Sequence, residues 1–174
     1  MPEYKPPHEG QMKEGHFPNT ETALLELHRL LAIFLSSKSF ADLRVGEDGE
    51  GHDPIYKLQE FEHDEISRIL LMLAITARVI DDREDYIYDL IGGSCGRLQK
   101  DVSQALVEDL PLREACNKIM HARKLRLDVE KNDRGHVYFN PVIYLYGSQA
   151  KLEWKATLDV IAFAKEYAGC VSHF

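Results

Sequence analysis

The stretch from Glu62 to about Arg83 constrains the fold most, because it carries the longest helical pattern in the chain. Its apolar residues cover most of the girth of a helix, which predicts a central helix packed by several neighbours. They are Ile66, Ile69, Leu70, Leu73, Ile75, Ala77 and Ile80. Arg78 lies one turn before Asp82, so an ion pair between these two side chains is also predicted.

A second amphipathic helix is predicted to begin at Asn19 or Thr20, since either residue can cap a helix. Its apolar stripe consists of Leu24, Leu27, Leu31, Phe34 and Leu35, and we expect it to end near residues 36–39. Residues 1–18 contain four prolines and two glycines without an apolar period, which predicts a flexible or extended tail. Residues 19–174 are predicted to form a single domain.

A β-hairpin is predicted in the C-terminal half of the chain. From Leu125 to Glu130 apolar residues alternate with charged ones, which is the pattern of a strand. The β-branched and aromatic segment from His136 to Tyr146 is predicted to be the returning strand. Pro141 within that segment indicates a strand at a sheet edge or a bulge.

Helices are predicted on both sides of the hairpin. A short one covers Arg97 to Leu106, and Pro111 suits the first turn of another that contains Leu112 to His121. A last helix is predicted to follow Gly147 and Ser148, with Leu152, Ala156, Leu158, Ile161, Phe163 and Ala164 as its apolar positions. The predicted fold class is therefore mainly α, a helical bundle of about four main helices with one β-hairpin between the last two helices.

Charge is distributed unevenly along the chain. The formal net charge is -8, which is unfavourable for general nucleic-acid binding. The segment from Pro111 to Arg134 nevertheless carries seven basic residues against four acidic ones. A mixed-charge solvated surface and a local anion site both explain that excess.

Arg113, Asn117 and His121 lie four residues apart within this basic segment, so they stack along one stripe of a helix. Cleavage of RNA without a metal requires a base, a proton donor and fixed positive charge. Imidazole and guanidinium can supply these functions, and an amide can orient either group. The same three residues could instead form a polar network that fixes how the helix packs.

The run Asn117-Lys118-Ile119-Met120-His121, preceded by LREAC, resembles the HEPN superfamily of helical domains. The family signature is an arginine, often followed by a polar residue, and a histidine a few residues later. Here Cys116 precedes Asn117, and Arg113 lies one turn earlier. The resemblance implies a homodimer and a metal-independent endoribonuclease of a defence or toxin–antitoxin type, with His121, Asn117 and Arg113 as catalytic residues.

The alternative function is a non-catalytic dimerisation or interaction module with a degenerate HEPN site, in which the aromatic hairpin strand adds to a partner's sheet. A metal hydrolase that uses His52, His63 and nearby carboxylates is a third hypothesis, although the spacing of these residues matches no ligand pattern. No cofactor, metal or membrane span is expected. Three widely spaced cysteines, without a CxxC pair, indicate reduced thiols in a cytoplasmic protein.

Overall fold

The structure, a computed structural model, describes residues 19–45, 53–84 and 93–171. These residues form five helices and five strands. In chain order the elements are α1 (Thr20–Leu43), α2 (Pro54–Gln59), α3 (Glu62–Glu84), β1 (Ser94–Gln99), β2 (Glu108–Pro111), α4 (Leu112–His121), β3 (Lys124–Lys131), β4 (Val137–Gln149), β5 (Leu152–Asp159) and α5 (Val160–Val171). The strands pair into one antiparallel sheet in the order β2-β1-β5-β4-β3.

The predicted fold class is wrong, because the described residues form an α+β fold rather than a mainly α bundle with one hairpin. The largest error concerns the predicted last helix. Its first half is strand β5, and α5 begins only at Val160. Leu152, Trp154, Ala156 and Leu158 occupy every second position of β5, so the period of this segment is two and the helical assignment misread it.

The helix predicted over Arg97 to Leu106 is wrong, because residues 97–99 belong to β1 and residues 100–107 connect β1 to β2. Strand β1 pairs with β5 on one side and with β2 on the other. Gly96 in β1 has φ of +145°, and a Cβ atom there would overlap the carbonyl oxygen of Thr157. The close approach of the two backbones therefore requires glycine at this position.

Several local predictions are confirmed. The side chain of Asn19 caps α1 by accepting a hydrogen bond from the amide of Thr22 at 3.2 Å, although α1 continues past the predicted end to Leu43. Helix α3 covers the predicted central stretch, and Arg78 reaches Asp82 at 3.2 Å. Ile75 of α3 is exposed instead of joining the core.

The predicted hairpin is present as β3 and β4. The register between them shifts by two residues around Pro141, since Leu127 faces Ile143 but Val129 faces Phe139. The proline thus occupies a bulge against β3, and β4 is an interior strand from Val142 onward, where β5 pairs with its other edge.

The core lies between the helices and one face of the sheet. Inward side chains of the central strands are fully or almost fully buried and comprise Ile143, Leu145, Trp154, Ala156 and Leu158. Helix α5 contributes Phe163 and Tyr167, whose hydroxyl donates to the carbonyl oxygen of Leu73 at 3.0 Å. Helix α4 packs between α3 and this assembly, so only one of its faces is open to solvent.

Two predictions fall outside the described residues, namely the tail over residues 1–18 and any role of His52. In the described part of the chain, none of the helices combines the length and the apolar character that a bilayer crossing requires.

Candidate functional site

A cleft of about 530 Å³ lies along the open face of α4. Four residues of α4 line it, spaced three or four positions apart as one face of a helix requires: Glu114, Asn117, Lys118 and His121. The opposite wall consists of Arg123, Ser148, Gln149 and Trp154, which the ends of the hairpin and β5 supply. The structure thus brings His121 and Asn117 together in one cavity.

Arg113 does not line this cleft. Its Nε atom lies 3.1 Å from Oδ2 of Asp81, a buried carboxylate on α3 that Arg78 also binds at 3.1 Å. A position one residue before Glu114 is turned about 100° around the helix axis, away from the cleft and towards α3. The guanidinium of Arg113 therefore joins α4 to α3 and does not face the same cavity as His121.

A carboxylate occupies the N-terminal end of the α4 face that lines the cleft. Glu114 receives a hydrogen bond from Nδ2 of Asn117 at 3.2 Å and an ion pair from Nζ of Lys118 at 3.0 Å. Asn117 therefore orients Glu114, whereas the sequence pattern predicts that it orients the imidazole or the guanidinium. Two donors that hold one carboxylate restrict its rotamers and leave it placed at the cleft wall.

Lys118 is almost fully buried, with only 7% of its side chain exposed. Its Nζ atom lies 4.6 Å from the ring centroid of Trp154, and its ion pair with Glu114 supplies the opposite charge that a buried ammonium requires. The ammonium is therefore a positive charge in a fixed position, and its two neighbours, Glu114 and Trp154, line the same cleft.

Backbone contacts hold the opposite wall in place. The amide of Arg123 donates to the carbonyl oxygen of Tyr146 at 2.8 Å, which fixes Arg123 at the mouth of the cleft. Gly147 lies beneath the indole of Trp154, and a Cβ atom there would overlap the ring. Glycine at this position lets the indole pack flat against β4 and reach Lys118.

Sequence reasoning found His121 and Asn117 but missed Glu114, Lys118, Arg123 and Trp154. A signal for Glu114 and Lys118 exists, because Glu114 lies three residues before Asn117 and four before Lys118, and Lys118 lies three residues before His121. No local signal identifies Trp154, which reaches the cleft only through the pairing of β5 with β4.

The arrangement offers groups for acid–base chemistry on an anionic substrate. An imidazole and a carboxylate share the cleft with two cations, Lys118 and Arg123. The three cysteines are buried, and burial raises the pKa of Cys170 to about 11, so these thiols are unsuited to nucleophilic attack. Among the described residues, no three His, Cys, Asp or Glu side chains come together as a metal site would require.

Comparisons of the chain with protein-family models, with curated proteins and with solved structures give no match. The resemblance to HEPN domains consequently stays a prediction that rests on the residues of α4 alone.

Proposed function

We propose that this protein acts on RNA and cleaves its phosphodiester bonds in the cleft beside α4. The observation that carries the proposal is the convergence of His121, Glu114, Lys118 and Arg123 on one cavity. General acid–base catalysis of phosphoryl transfer needs these side-chain types, and it needs them within reach of the same substrate atoms.

The roles follow from the chemistry of each group. The Glu114 carboxylate takes the proton of a ribose 2′-hydroxyl, whose oxygen attacks the adjacent phosphorus. The His121 imidazolium donates a proton to the departing 5′-oxygen, so the products are a 2′,3′-cyclic phosphate and a 5′-hydroxyl. Lys118 and Arg123 stabilise the negative charge that builds up on the phosphate oxygens. Asn117 positions Glu114.

The direct test is incubation of the purified protein with single-stranded RNA in the presence of EDTA. We expect cleavage by the wild type and a loss of about 10²–10⁴-fold in rate for His121→Ala, the range for removal of a general acid. Glu114→Gln should lower the rate similarly. His28→Ala removes an exposed histidine from α1 and is the matched control.

Intact RNA after incubation with a folded, concentrated sample contradicts the proposal. So does a His121→Ala variant that cleaves at the wild-type rate, because the imidazole would then take no part in the reaction.

We propose further that the protein forms a homodimer, with or without catalytic activity. Large apolar side chains are exposed on the outer surfaces of α1 and α3, including Leu35, Leu25, Leu71 and Ile75. Burying them against a second copy would remove apolar surface from water. Strand β5 pairs with β4 only over Val142–Gln149, so the hypothesised addition of β4 to a partner's sheet would have to involve its Val137–Pro141 part, which contains Tyr138 and Phe139.

Sedimentation tests the dimer. Leu35→Glu should shift the protein from dimer to monomer, and Asp42→Lys, a charge change at an exposed α1 residue, should leave it dimeric. A wild-type monomer at micromolar concentration would refute dimerisation. A cytoplasmic location is also proposed, supported by Cys95, Cys116 and Cys170, which are buried thiols that form no disulfide with one another.

A further inference from the structure

The outward face of the sheet, opposite the helices, carries an aromatic and basic surface beside the cleft. In the strand register, Arg126 of β3 faces Tyr144 of β4, and Tyr146 of β4 faces Lys155 of β5. These four side chains alternate with the buried residues of the same strands, so they lie on the same side of the sheet and stay at least partly exposed. We call these four residues the sheet platform.

The cations of the sheet platform lie close to its rings. Nζ of Lys155 is 4.8 Å from the ring centroid of Tyr144 and 5.9 Å from that of Tyr146. The guanidinium carbon of Arg126 is 5.7 Å from the centroid of Tyr146. Flat rings interleaved with cations offer a stacking surface for bases and positive charge for the phosphates that link them.

The sheet platform is continuous with the cleft. A second cavity, of about 460 Å³, is lined by Tyr146 and Lys155 of the platform and also by Arg123, Ser148 and Trp154. The last three residues line the α4 cleft as well. A chain molecule bound on the platform can therefore run past Trp154 and Arg123 to reach His121 without leaving the protein surface.

Local charge favours a polyanion at this surface although the whole chain is acidic. The second cavity is lined by three basic residues, Arg123, Lys124 and Lys155, and by one carboxylate, Glu153. Asp128 on β3 accepts hydrogen bonds from the hydroxyl of Tyr144 and the side-chain amide of Asn140, each at 2.9 Å. On the β1–β2 side of the sheet, Arg97 and Asp109 pair with each other at 2.6 Å.

We propose that the sheet platform binds single-stranded RNA and guides it into the α4 cleft. This inference rests on the proposed action on RNA and specifies its substrate class. Stacking on Tyr144 and Tyr146 requires bases whose faces are free, and a duplex conceals them between neighbouring base pairs. Single-stranded RNA therefore fits the sheet platform, because its bases and its phosphates are both free to contact it. Double-stranded RNA could contact the platform only through its phosphates.

The test uses a fluorescein-labelled 12-nucleotide oligouridylate with 2′-O-methyl groups, which the proposed reaction cannot cleave, and follows its binding by fluorescence anisotropy. Tyr146→Ala should weaken binding about 5- to 150-fold, the equivalent of one lost stacking contact, and Tyr146→Phe should retain most of it. Lys155→Glu and Arg126→Glu should weaken binding and lower its salt dependence. Lys165→Glu, an exposed residue of α5, is the matched charge control.

The results separate this inference from the proposed function. If Tyr146→Ala, Lys155→Glu and Arg126→Glu all bind the oligouridylate with wild-type affinity, the proposal that the sheet platform binds RNA is overturned. This holds even if His121→Ala abolishes cleavage. Weakened binding in these variants, together with a wild-type protein that cleaves no RNA, supports the platform and refutes the catalytic proposal. Absence of oligouridylate binding by the wild type at low salt also overturns the platform.

Discussion

Replacing Glu62 by glutamine should remove a pH dependence from the folding stability of this protein. Glu62 begins α3 and is buried, with the hydroxyl of Ser37 donating to its Oε2 at 3.3 Å. Burial raises the pKa of this carboxyl from 4.5 to about 7, because the charged form is poorly solvated there, while the Ser37 hydrogen bond acts in the opposite direction.

The size of the effect follows from the difference between the two pKa values. The unfolded chain loses its proton near pH 4.5 and the folded chain near pH 7. Between these values only the unfolded state is ionised, so the free energy of unfolding falls as the pH rises and levels off above about 7. One pKa unit corresponds to 1.36 kcal/mol. The ionisation of Glu62 should therefore lower the free energy of unfolding by about 2 kcal/mol between about pH 5.5 and 8.5.

Urea denaturation of the wild type and Glu62→Gln across this pH range measures the effect. Glutamine keeps the shape and cannot ionise, so the difference between the two free energies of unfolding should change by about 2 kcal/mol over the range. Leu58→Gln, a change at an exposed position of α2 that involves no titratable group, should give a constant difference. Parallel curves for the wild type and Glu62→Gln would refute the reasoning, because Glu62 would then titrate alike in both states.

Three further variants test other parts of the structure. Gly96→Ala should destabilise the fold by at least about 1–3 kcal/mol, because alanine is strained at a positive φ and its Cβ atom would overlap the carbonyl oxygen of Thr157. The measurement is the urea midpoint, which should fall. An unchanged midpoint would contradict the described approach of β1 to β5. Arg113→Ala should cost roughly 1 kcal/mol or less by loss of its partly exposed ion pair with Asp81, and it should leave the rate of RNA cleavage unchanged. A cleavage defect in a folded Arg113→Ala sample would instead assign this arginine to the site. Lys118→Met should lower the cleavage rate of the folded protein, and it should also lower the melting temperature, because it leaves the Glu114 carboxylate without the cation that pairs with it. Full activity in this variant would exclude Lys118 from charge stabilisation.

The sequence by itself determined the elements that local interactions specify. Helix α4 covers the stretch Leu112–His121 for which a helix is predicted, with Pro111 as its N-cap rather than in its first turn, and its buried residues Leu112, Ala115, Cys116 and Ile119 recur at helical spacing. The β3–β4 hairpin was predictable because alternation and a tight turn both lie within one short segment. The cap of α1 at Asn19 is likewise a contact between residues three positions apart.

Pairing between distant segments decided the rest of the fold. Strand β1 has little strand character of its own, and it becomes a strand because β5, about 60 residues later, supplies its hydrogen-bond partners. The apolar residues of β5 recur at every second position, which is typical of a strand. Helix α5 follows directly and is equally apolar, so the sequence pattern predicts one helix over both segments. The residues of a strand do not by themselves specify which distant segment of the chain will pair with it.

The candidate site divides in the same way. The sequence placed His121 and Asn117 on one stripe because their four-residue spacing fixes their relative direction on α4. Only the tertiary structure turned Arg113 towards Asp81, placed Trp154 beneath Lys118 and brought Arg123 to the same cavity. Helical periodicity determines which side chains share a face, whereas the packing of α4 against α3 and the sheet decides what that face meets.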